Sequence, residues 1–340
     1  MSFKFNIALD AMGGDNSPYK VIQGLSFFLK DKKSDVSFTL YGKSKEVFKV
    51  LKDFNIQNDK RVSVINCENV ISNELSVRES IKLGKDTSMW RSIESVKENK
   101  CDIIISSGNT GALLVISKLI LKTVNGIDKP ALAALWPNKN NLSVVLDLGA
   151  NIDCSEKNFI QFSKIGSQLF SVLFGVSKPK VGLLNIGSEE IKGNETLKNT
   201  NTELMKKNFT FDYIGYVEGS DITKGVVDVV VTDGFTGNVA LKTAEGTANY
   251  ITSEIKNEFS KSLFSKLSYI TSLYVFRRIK KRLDPRNYNG AIFLGLSAPV
   301  IKSHGGADGY AFYNSIKLSY KILNGNLIQK IKNNIINGEK

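Results

Sequence analysis

The unit that decides the fold is clearest at Ile103-Ile104-Ile105-Ser106-Ser107-Gly108-Asn109-Thr110-Gly111-Ala112, where an apolar strand ends in small polar residues and an apolar helix begins. Short, nearly continuous runs of Val, Ile and Leu are typical of parallel strands that are covered on both faces. The same pattern recurs along the chain and predicts eight strands: Phe5–Leu9, Ser37–Tyr41, Val62–Ile65, Ile103–Ser106, Ser143–Leu148, Val181–Ile186, Tyr213–Val217 and Val227–Thr232.

Helical segments separate these strands. The clearest helix is predicted over Glu156–Phe174, where Ile165 and Leu169 fall on one apolar face. Ser155 can cap its start, and Gly175 lies just past its end. The alternation of strands and helices predicts an α/β/α sandwich with a mostly parallel, doubly wound sheet.

Residues 242–283 lack any strand signal and interrupt the alternation. They are predicted to form an inserted arm of amphipathic helices, while residues 1–241 and 284–340 form the catalytic α/β core. Residues 256–286 carry nine Lys or Arg against two Asp or Glu, beside a wide apolar stripe. Such an arm can lie on an anionic bilayer or be buried in a dimer interface, and the two are compatible. The candidate membrane contacts are Leu267, Leu273, Phe276, Arg277 and Arg278.

The composition excludes several classes of protein. Hydrophobic residues make up 42% and charged residues 23% of the 340, as in soluble globular proteins. No apolar run approaches the roughly 20 residues of a membrane span, and no signal peptide is visible, so a cytoplasmic location is expected. Three scattered cysteines and one histidine argue against a zinc site, and no metal is expected. The net charge of +13 alone would suit nucleic acid, but no recognition motif accompanies it.

Glycine-rich polar loops follow the strands, and we expect them to meet at one edge of the sheet, where doubly wound folds bind ligands. The chain contains neither a dinucleotide fingerprint nor a P-loop. Backbone N–H groups at helix starts suit an anion such as phosphate, which would itself be the nucleophile. The candidate binding residues are Asp10, Gly13, Gly14, Asp15, Ser107, Gly108, Asn109, Thr110, Asn151, Asn185, Gly187, Asn194, Gly234, Thr236, Gly237 and Gly305.

The loops, in this order, resemble those of the bacterial acyl-carrier-protein:phosphate acyltransferase family of phospholipid synthesis. The family usually has Ala where Ser107 stands, and commonly Ser where Gly306 stands. The matching stretches cover nearly the whole chain: Ile7–Asp15, Ser107–Ala112, Asp147–Asn151, Gly182–Gly187, Lys192-Gly193, Glu218-Gly219, Thr232–Asn238 and Lys302–Gly305.

The resemblance implies a fold related to phosphotransacetylase and the isocitrate-dehydrogenase-like group. It implies a reaction of a thioester on acyl-carrier protein with phosphate, which gives acyl phosphate and the free carrier. No cofactor is implied beyond the phosphopantetheine of the carrier. A homodimer is implied that associates peripherally with the cytoplasmic membrane and passes its product to a membrane glycerol-3-phosphate acyltransferase.

Four residues are the catalytic candidates under this resemblance. Lys192 would hold phosphate together with Asn109 and Thr110. Asn238 and the loop around it would orient the thioester carbonyl and stabilise the oxyanion. The remaining candidates, which would manage a proton, are Asp233 and His304.

Two other functions stay open. A phosphotransacetylase would use coenzyme A as the acyl carrier. A catalytically silent scaffold would recruit the carrier to the membrane, although the intact Asp, Asn, Lys and His loops argue against it.

Overall fold

The computed structural model describes residues 3–30, 35–72 and 74–337. Within them one sheet of eleven strands has the order β3-β2-β1-β4-β11-β10-β5-β6-β9-β7-β8. The strands are β1 (Phe5–Asp10), β2 (Val36–Gly42), β3 (Val62–Asn66), β4 (Ile103–Ser106), β5 (Ala131–Pro137), β6 (Leu142–Leu146), β7 (Lys180–Leu184), β8 (Asp212–Val217), β9 (Val229–Val231), β10 (Ala291–Leu294) and β11 (Val300–Lys302).

Three antiparallel pairings divide the sheet into two halves of opposite direction. Strands β1, β2, β3, β4 and β11 are mutually parallel. Strand β10 is antiparallel to β11 and to β5, and β5 is antiparallel to β6. Strands β6, β9, β7 and β8 are again parallel to one another. The second half therefore runs opposite to the first, and the carboxyl ends of the two halves lie at opposite edges of the sheet.

Helices cover both faces of the sheet. On β4, Ile103 and Ile105 belong to one buried cluster and Ile104 to the other, as the alternation of side chains along a strand requires. The helices are α1 (Tyr19–Lys30), α2 (Ser44–Asp53), α3 (Val77–Leu83), α4 (Ser88–Lys97), α5 (Thr110–Leu121), α6 (Glu156–Phe174), α7 (Glu195–Lys206), α8 (Gly219–Lys224), α9 (Gly234–Ser260), α10 (Leu263–Leu283), α11 (Gly309–Asn324) and α12 (Leu327–Asn337). The first cluster includes side chains of α1, α6 and α11, and the second includes those of α4 and α5.

The sequence pattern predicts most of these elements, and the α/β/α sandwich with a mostly parallel sheet is confirmed. Helix α6 has the predicted bounds, with Ser155 as its N-cap and a left-handed Gly175 at its end. All eight predicted strands are present, with ends shifted by up to two residues. Three of the eleven strands are not among the eight predicted, because β5 is rich in Ala, β10 has four residues and β11 has three.

The arm is a helical hairpin. Helix α9 begins at Gly234, directly after β9, and runs without a break through position 242, where the arm was expected to start. Helix α10 ends at Leu283, just before Asp284-Pro285. Among the described residues, no helix is both long enough and apolar enough to cross a bilayer.

The expected membrane contacts fall on two sides of this hairpin. Leu267 is 62% exposed, and Arg277 and Arg278 are also exposed. Phe276 packs between the two helices, with its ring centroid 5.2 Å from that of Phe259 and 5.5 Å from that of Tyr269. Leu273 is likewise partly buried. The outer surface of the hairpin is therefore formed by other apolar side chains, which include Leu263, Phe264, Ile270 and Tyr274.

The backbone at the start of α9 lies directly against the backbone of Asp147, which follows β6. A Cβ at Gly237 would overlap the carbonyl oxygen of Asp147, whereas a Cβ at Gly246, further along α9, meets nothing within 4 Å. We expect Gly237→Ala to lower the free energy of unfolding by about 1–3 kcal/mol, because backbone must move. Gly246→Ala should instead raise it by up to about 1 kcal/mol, since Ala favours the helix. Equal effects of the two substitutions in urea denaturation would contradict the close approach.

Candidate active site

The loops after β1, β4 and β11 pack directly on one another. A Cβ at Gly13 would lie 2.6 Å from the backbone nitrogen of Gly108. A Cβ at Gly14, which has a φ of +76°, would lie 2.7 Å from the carbonyl oxygen of Ser107 and 2.9 Å from that of Gly305. Three loops can meet this closely only because glycine occupies both positions. Five of the predicted binding residues are therefore in contact.

Asp10 lies beneath these loops and holds them together. Its carboxylate accepts hydrogen bonds from the hydroxyls of Ser88 at 2.7 Å and Ser106 at 2.6 Å, and from the N–H of Met12 at 3.3 Å. Burial raises the pKa of Asp10, although these hydrogen bonds oppose the shift. Asp10 is 1% exposed and has a structural role, because it joins β1, β4 and α4, while its role in binding stays a prediction.

Two lysines that sequence reasoning did not select stand at the same loops. Lys20 is 2% exposed, and its Nζ donates to the carbonyl of Gly305 at 2.5 Å. Lys302 Nζ donates to the carbonyls of Ser303 at 2.5 Å and Ser107 at 3.4 Å. Burial lowers the pKa of each lysine to about 8, and the charge of Lys20 contributes to the shift at Lys302. In the sequence, each of these lysines stands beside a glycine-rich loop, and Lys302 also ends β11. This pattern is the signal that could have identified them as site residues.

His304 follows Lys302 in the same loop. Its Nδ1 accepts the N–H of Gly306 at 3.1 Å, so a neutral ring carries its proton on Nε2. Partial burial and then the charge of Lys302 lower the pKa of His304, which favours the neutral ring. Glu245 of α9 opposes that shift and Lys242 of α9 adds to it, so this helix passes close to the loop.

Asn289, just after the arm, fixes the backbone of this loop. Its Oδ1 accepts the N–H of His304 at 3.1 Å. Its Nδ2 donates to the hydroxyls of Ser303 and Ser315 and to the carbonyl of Ala311, each at 2.9 Å. The position of His304 therefore depends on a residue at the base of the arm.

A second group of loops follows β6 and β9. The buried carboxylate of Asp147 accepts hydrogen bonds from the N–H groups of Leu132 at 3.0 Å, Ala150 at 2.9 Å and Asn151 at 2.8 Å. The side chain of Asn151 also donates to it at 2.8 Å and to the carbonyl of Pro130 at 2.8 Å. Asn151, a predicted binding residue, is thus held within the loop, and Asp147 is the residue that shapes it.

The backbone N–H groups in the first turn of α9 are already hydrogen-bonded within the protein. The N–H of Gly234 donates to the carbonyl of Asn151 at 2.7 Å, and that of Gly237 to the carbonyl of Asp233 at 3.0 Å. Both the N–H and the hydroxyl of Thr236 donate to the Asp233 carboxylate at 2.8 Å. The expectation that the Gly234–Gly237 loop supplies oxyanion donors is therefore wrong for these three N–H groups, which are already paired.

Asn238 is exposed on α9 beside the second loop group, because a Cβ at Gly149 would lie 3.6 Å from the Cβ of Asn238. Glu245, which affects the pKa of His304, lies seven residues further along the helix, or about 10 Å at 1.5 Å per residue. Helix α9 therefore connects the second group of loops with the first.

The third loop lies after β7. Asn185 shapes it by donating to the carbonyl of Lys192 at 3.2 Å and accepting the N–H of Ile186 at 2.9 Å. Gly193 has a φ of +88°, and a Cβ there would lie 2.6 Å from Asn185 Oδ1. The Lys192 side chain is exposed, and the described contacts of this residue fall within its own loop.

The remaining candidates have local roles or lie at the rim. Asn109 caps α5 by accepting the N–H of Ala112 at 3.0 Å, and Asn194 caps α7 by accepting that of Leu197 at 2.9 Å. Among the described contacts, no hydrogen bond joins the side chain of Asp15 or Thr110 to another candidate. Gly187 has no polar side chain to form one. The expectation that all these loops meet at one edge is wrong, because β6, β7 and β9 run opposite to β1, β4 and β11.

Comparison with known proteins shows the family to which the chain belongs. A family model described as "Fatty acid synthesis protein" matches residues 5–330. A "Phosphate acyltransferase" of Pelagibacter ubique is 52% identical over 98% of this chain and 100% of its own length. One from Agrobacterium fabrum is 40% identical over 97% of this chain and 93% of its own length.

The chain belongs to the phosphate acyltransferase family. It is therefore an enzyme of the acyltransferase class, as its resemblance to that family implies.

Solved structures agree on the fold. A phosphotransacetylase from Streptococcus pyogenes superposes with a TM-score of 0.62 at 16% identity and covers 97% of this chain and 94% of its own. The EutD phosphotransacetylase from Staphylococcus aureus gives a TM-score of 0.59 at 14% identity, with 94% of each chain covered. At this identity the likeness shows only that the chain has a phosphotransacetylase-like α/β fold.

Proposed function

We propose that the protein transfers a fatty acyl group from the thioester of an acylated acyl-carrier protein to inorganic phosphate. The products are an acyl phosphate, which serves phosphatidic acid and phospholipid synthesis, and the free carrier. The observation that carries this proposal is the 52% identity, over nearly the whole chain, to a protein named for acyl transfer to phosphate. The buried cationic side chains at the glycine-rich loops support an anionic acceptor.

The proposed reaction needs no metal and no covalent enzyme intermediate. A phosphate oxygen attacks the thioester carbonyl, the carbon–sulfur bond breaks, and the thiolate of phosphopantetheine leaves. The exposed amide of Asn238, beside the loops after β6 and β9, is a hydrogen-bond donor to the bound acyl carrier arm, since the N–H groups of Gly234, Thr236 and Gly237 are already paired. His304, with its Nε2–H free to donate, can supply a proton to the thiolate.

The acyl donor separates two candidate functions. The similar fold of the phosphotransacetylases favours coenzyme A as the second candidate. The basic surface favours the carrier protein, because the carrier is acidic as a class and complementary charge speeds association.

We expect purified protein to turn over acylated carrier at a rate that saturates with phosphate, and acyl-coenzyme A of the same chain length far more slowly. The measurement is acyl phosphate formation with each donor, with and without phosphate. A preference for coenzyme A would support the phosphotransacetylase function instead. Absence of phosphate-dependent turnover with both donors would contradict the proposed reaction.

Asn238 and Lys192 test the catalytic assignment without disturbing the core, because both side chains are exposed. We expect Asn238→Ala to lower kcat/KM for the acylated carrier by about tenfold, as loss of one hydrogen bond to a bound substrate does. Lys192→Ala should lower kcat/KM for the acylated carrier without changing the KM for phosphate, since its loop lies at the opposite edge of the sheet from Asn109. Lys198→Ala, at another exposed lysine nearby, should change neither value. Wild-type kinetics in both Asn238→Ala and Lys192→Ala would remove these roles.

We further propose that the arm places a homodimer on the anionic surface of the membrane, where the apolar product can pass to a glycerol-3-phosphate acyltransferase. Leu263, Phe264 and Leu267 are 85%, 81% and 62% exposed. Exposed apolar side chains beside basic ones are typical of helices that bind anionic bilayers.

Replacing Leu263, Phe264 and Leu267 together by Ser should weaken binding to vesicles that contain anionic lipid, while turnover of soluble acyl carrier is unchanged. Met205→Ser, at an exposed apolar residue outside the arm, is the matched control for vesicle sedimentation. Unchanged sedimentation of the triple variant would contradict membrane contact through this surface. Its dissociation into monomers with loss of activity would show that the surface is a dimer interface.

A further inference from the structure

We propose that Lys20, Lys302 and Ser107 together bind the acceptor phosphate, at the point where the loops after β1, β4 and β11 meet. This inference rests on the proposed function and adds the place at which its nucleophile binds. The resemblance to the family assigned phosphate to Asn109, Thr110 and Lys192. Strand direction instead puts the Lys192 loop at the opposite edge of the sheet from Asn109.

The two lysines face one small space. A Cβ at Gly14 would lie 2.7 Å from Lys20 Nζ and 2.7 Å from the carbonyl oxygen of Ser107. That same carbonyl accepts from Lys302 Nζ at 3.4 Å. Gly14 thus keeps open a volume that both ammonium groups border, beside the loop that precedes α5.

The donors around this space are incompletely used. An ammonium group has three N–H donors, and the described partners of Lys20 and Lys302 are one and two backbone carbonyls. The hydroxyl of Ser107 is buried without a hydrogen-bond partner in the described part of the chain. Native proteins rarely leave such groups unpaired, and a bound ligand is one way to pair them.

The charge of the space selects an anion. Across residues 3–30, 35–72 and 74–337, no carboxylate oxygen forms an ion pair within 4 Å of either ammonium. Burial lowers the pKa of each lysine to about 8, and the charge of Lys20 adds to the shift at Lys302. Asp10 opposes both shifts, and Asp15 opposes that of Lys20. A phosphate dianion offsets the cost of burying the two charges, since it pairs with both ammonium groups and accepts their hydrogen bonds.

The location also suits the chemistry. Ser107 lies three residues before Thr110, the first residue of α5, a helix of twelve residues whose first-turn N–H groups favour anions. His304 stands in the adjoining loop, two residues after Lys302, so a phosphate bound there is close to a group able to donate a proton. The phosphodiester of phosphopantetheine carries phosphate oxygens that can bind the same groups as inorganic phosphate. The KM for inorganic phosphate and the KM for acylated carrier distinguish these two ligands.

The test uses Lys302→Met and Lys20→Met, which keep side-chain length and remove the buried charge. We expect each to raise the KM for phosphate at least tenfold while the KM for acylated carrier stays unchanged. Lys118→Met, at an exposed lysine of α5, should leave both values unchanged. A rise in the KM for the carrier alone would mean that the pocket binds the phosphodiester and would overturn the proposal.

Thermal unfolding gives a readout that does not depend on turnover. Inorganic phosphate should raise the melting temperature of the wild-type protein, and this shift should be lost in Lys302→Met, which also shows whether the variant folds. In the wild type the shift should decline as the pH rises above about 8, where both lysines lose their charge. An undiminished shift in both Met variants would overturn the site. If phosphate binds but no acyl donor reacts, the site stands and the proposed function fails.

Discussion

The antiparallel pairing of β5 with β6 and of β10 with its two neighbours is the constraint on which the rest of the structure depends. It reverses the second half of the sheet, so the two sets of glycine-rich loops emerge at opposite edges. A single reaction that uses both sets needs an element that spans them. Helix α9 does this, since it begins at the loop of Asp147 and reaches the loop of His304 about three turns later.

Buried carboxylates hold each loop set in shape. Asp10 joins two strand ends to α4, and Asp147 gathers the N–H groups of its own loop. Both have a pKa raised by burial, and both are stabilised by hydrogen bonds that only this loop geometry provides. Glycines complete the arrangement where backbones meet. Much of the polar sequence around the site therefore supports the loops, and a smaller part faces the substrates.

The sequence predicts the strands, helix α6 and the helical arm well, because these depend on local periodicity and capping. It misses β5, which is rich in Ala, and the short strands β10 and β11, which give little strand signal. Without β5 and β10 it also misses the reversal of the sheet. Lys20 and Lys302 were also missed as site residues. Their importance comes from burial among loops distant in sequence, which no local pattern shows. Asp10 and Asn151 were selected for their residue type, although the structure turns them inward.

If phosphate is the nucleophile, every phosphate oxygen stays bonded to phosphorus while the acyl–sulfur bond breaks. The most direct measurement is single-turnover reaction of acylated carrier with ¹⁸O-labelled phosphate, followed by mass spectrometry of the intact acyl phosphate. The expected result is acyl phosphate that retains all of the label, formed in equal amount to the free thiol. Thiol release at the same rate without phosphate, with free fatty acid as the product, would contradict it.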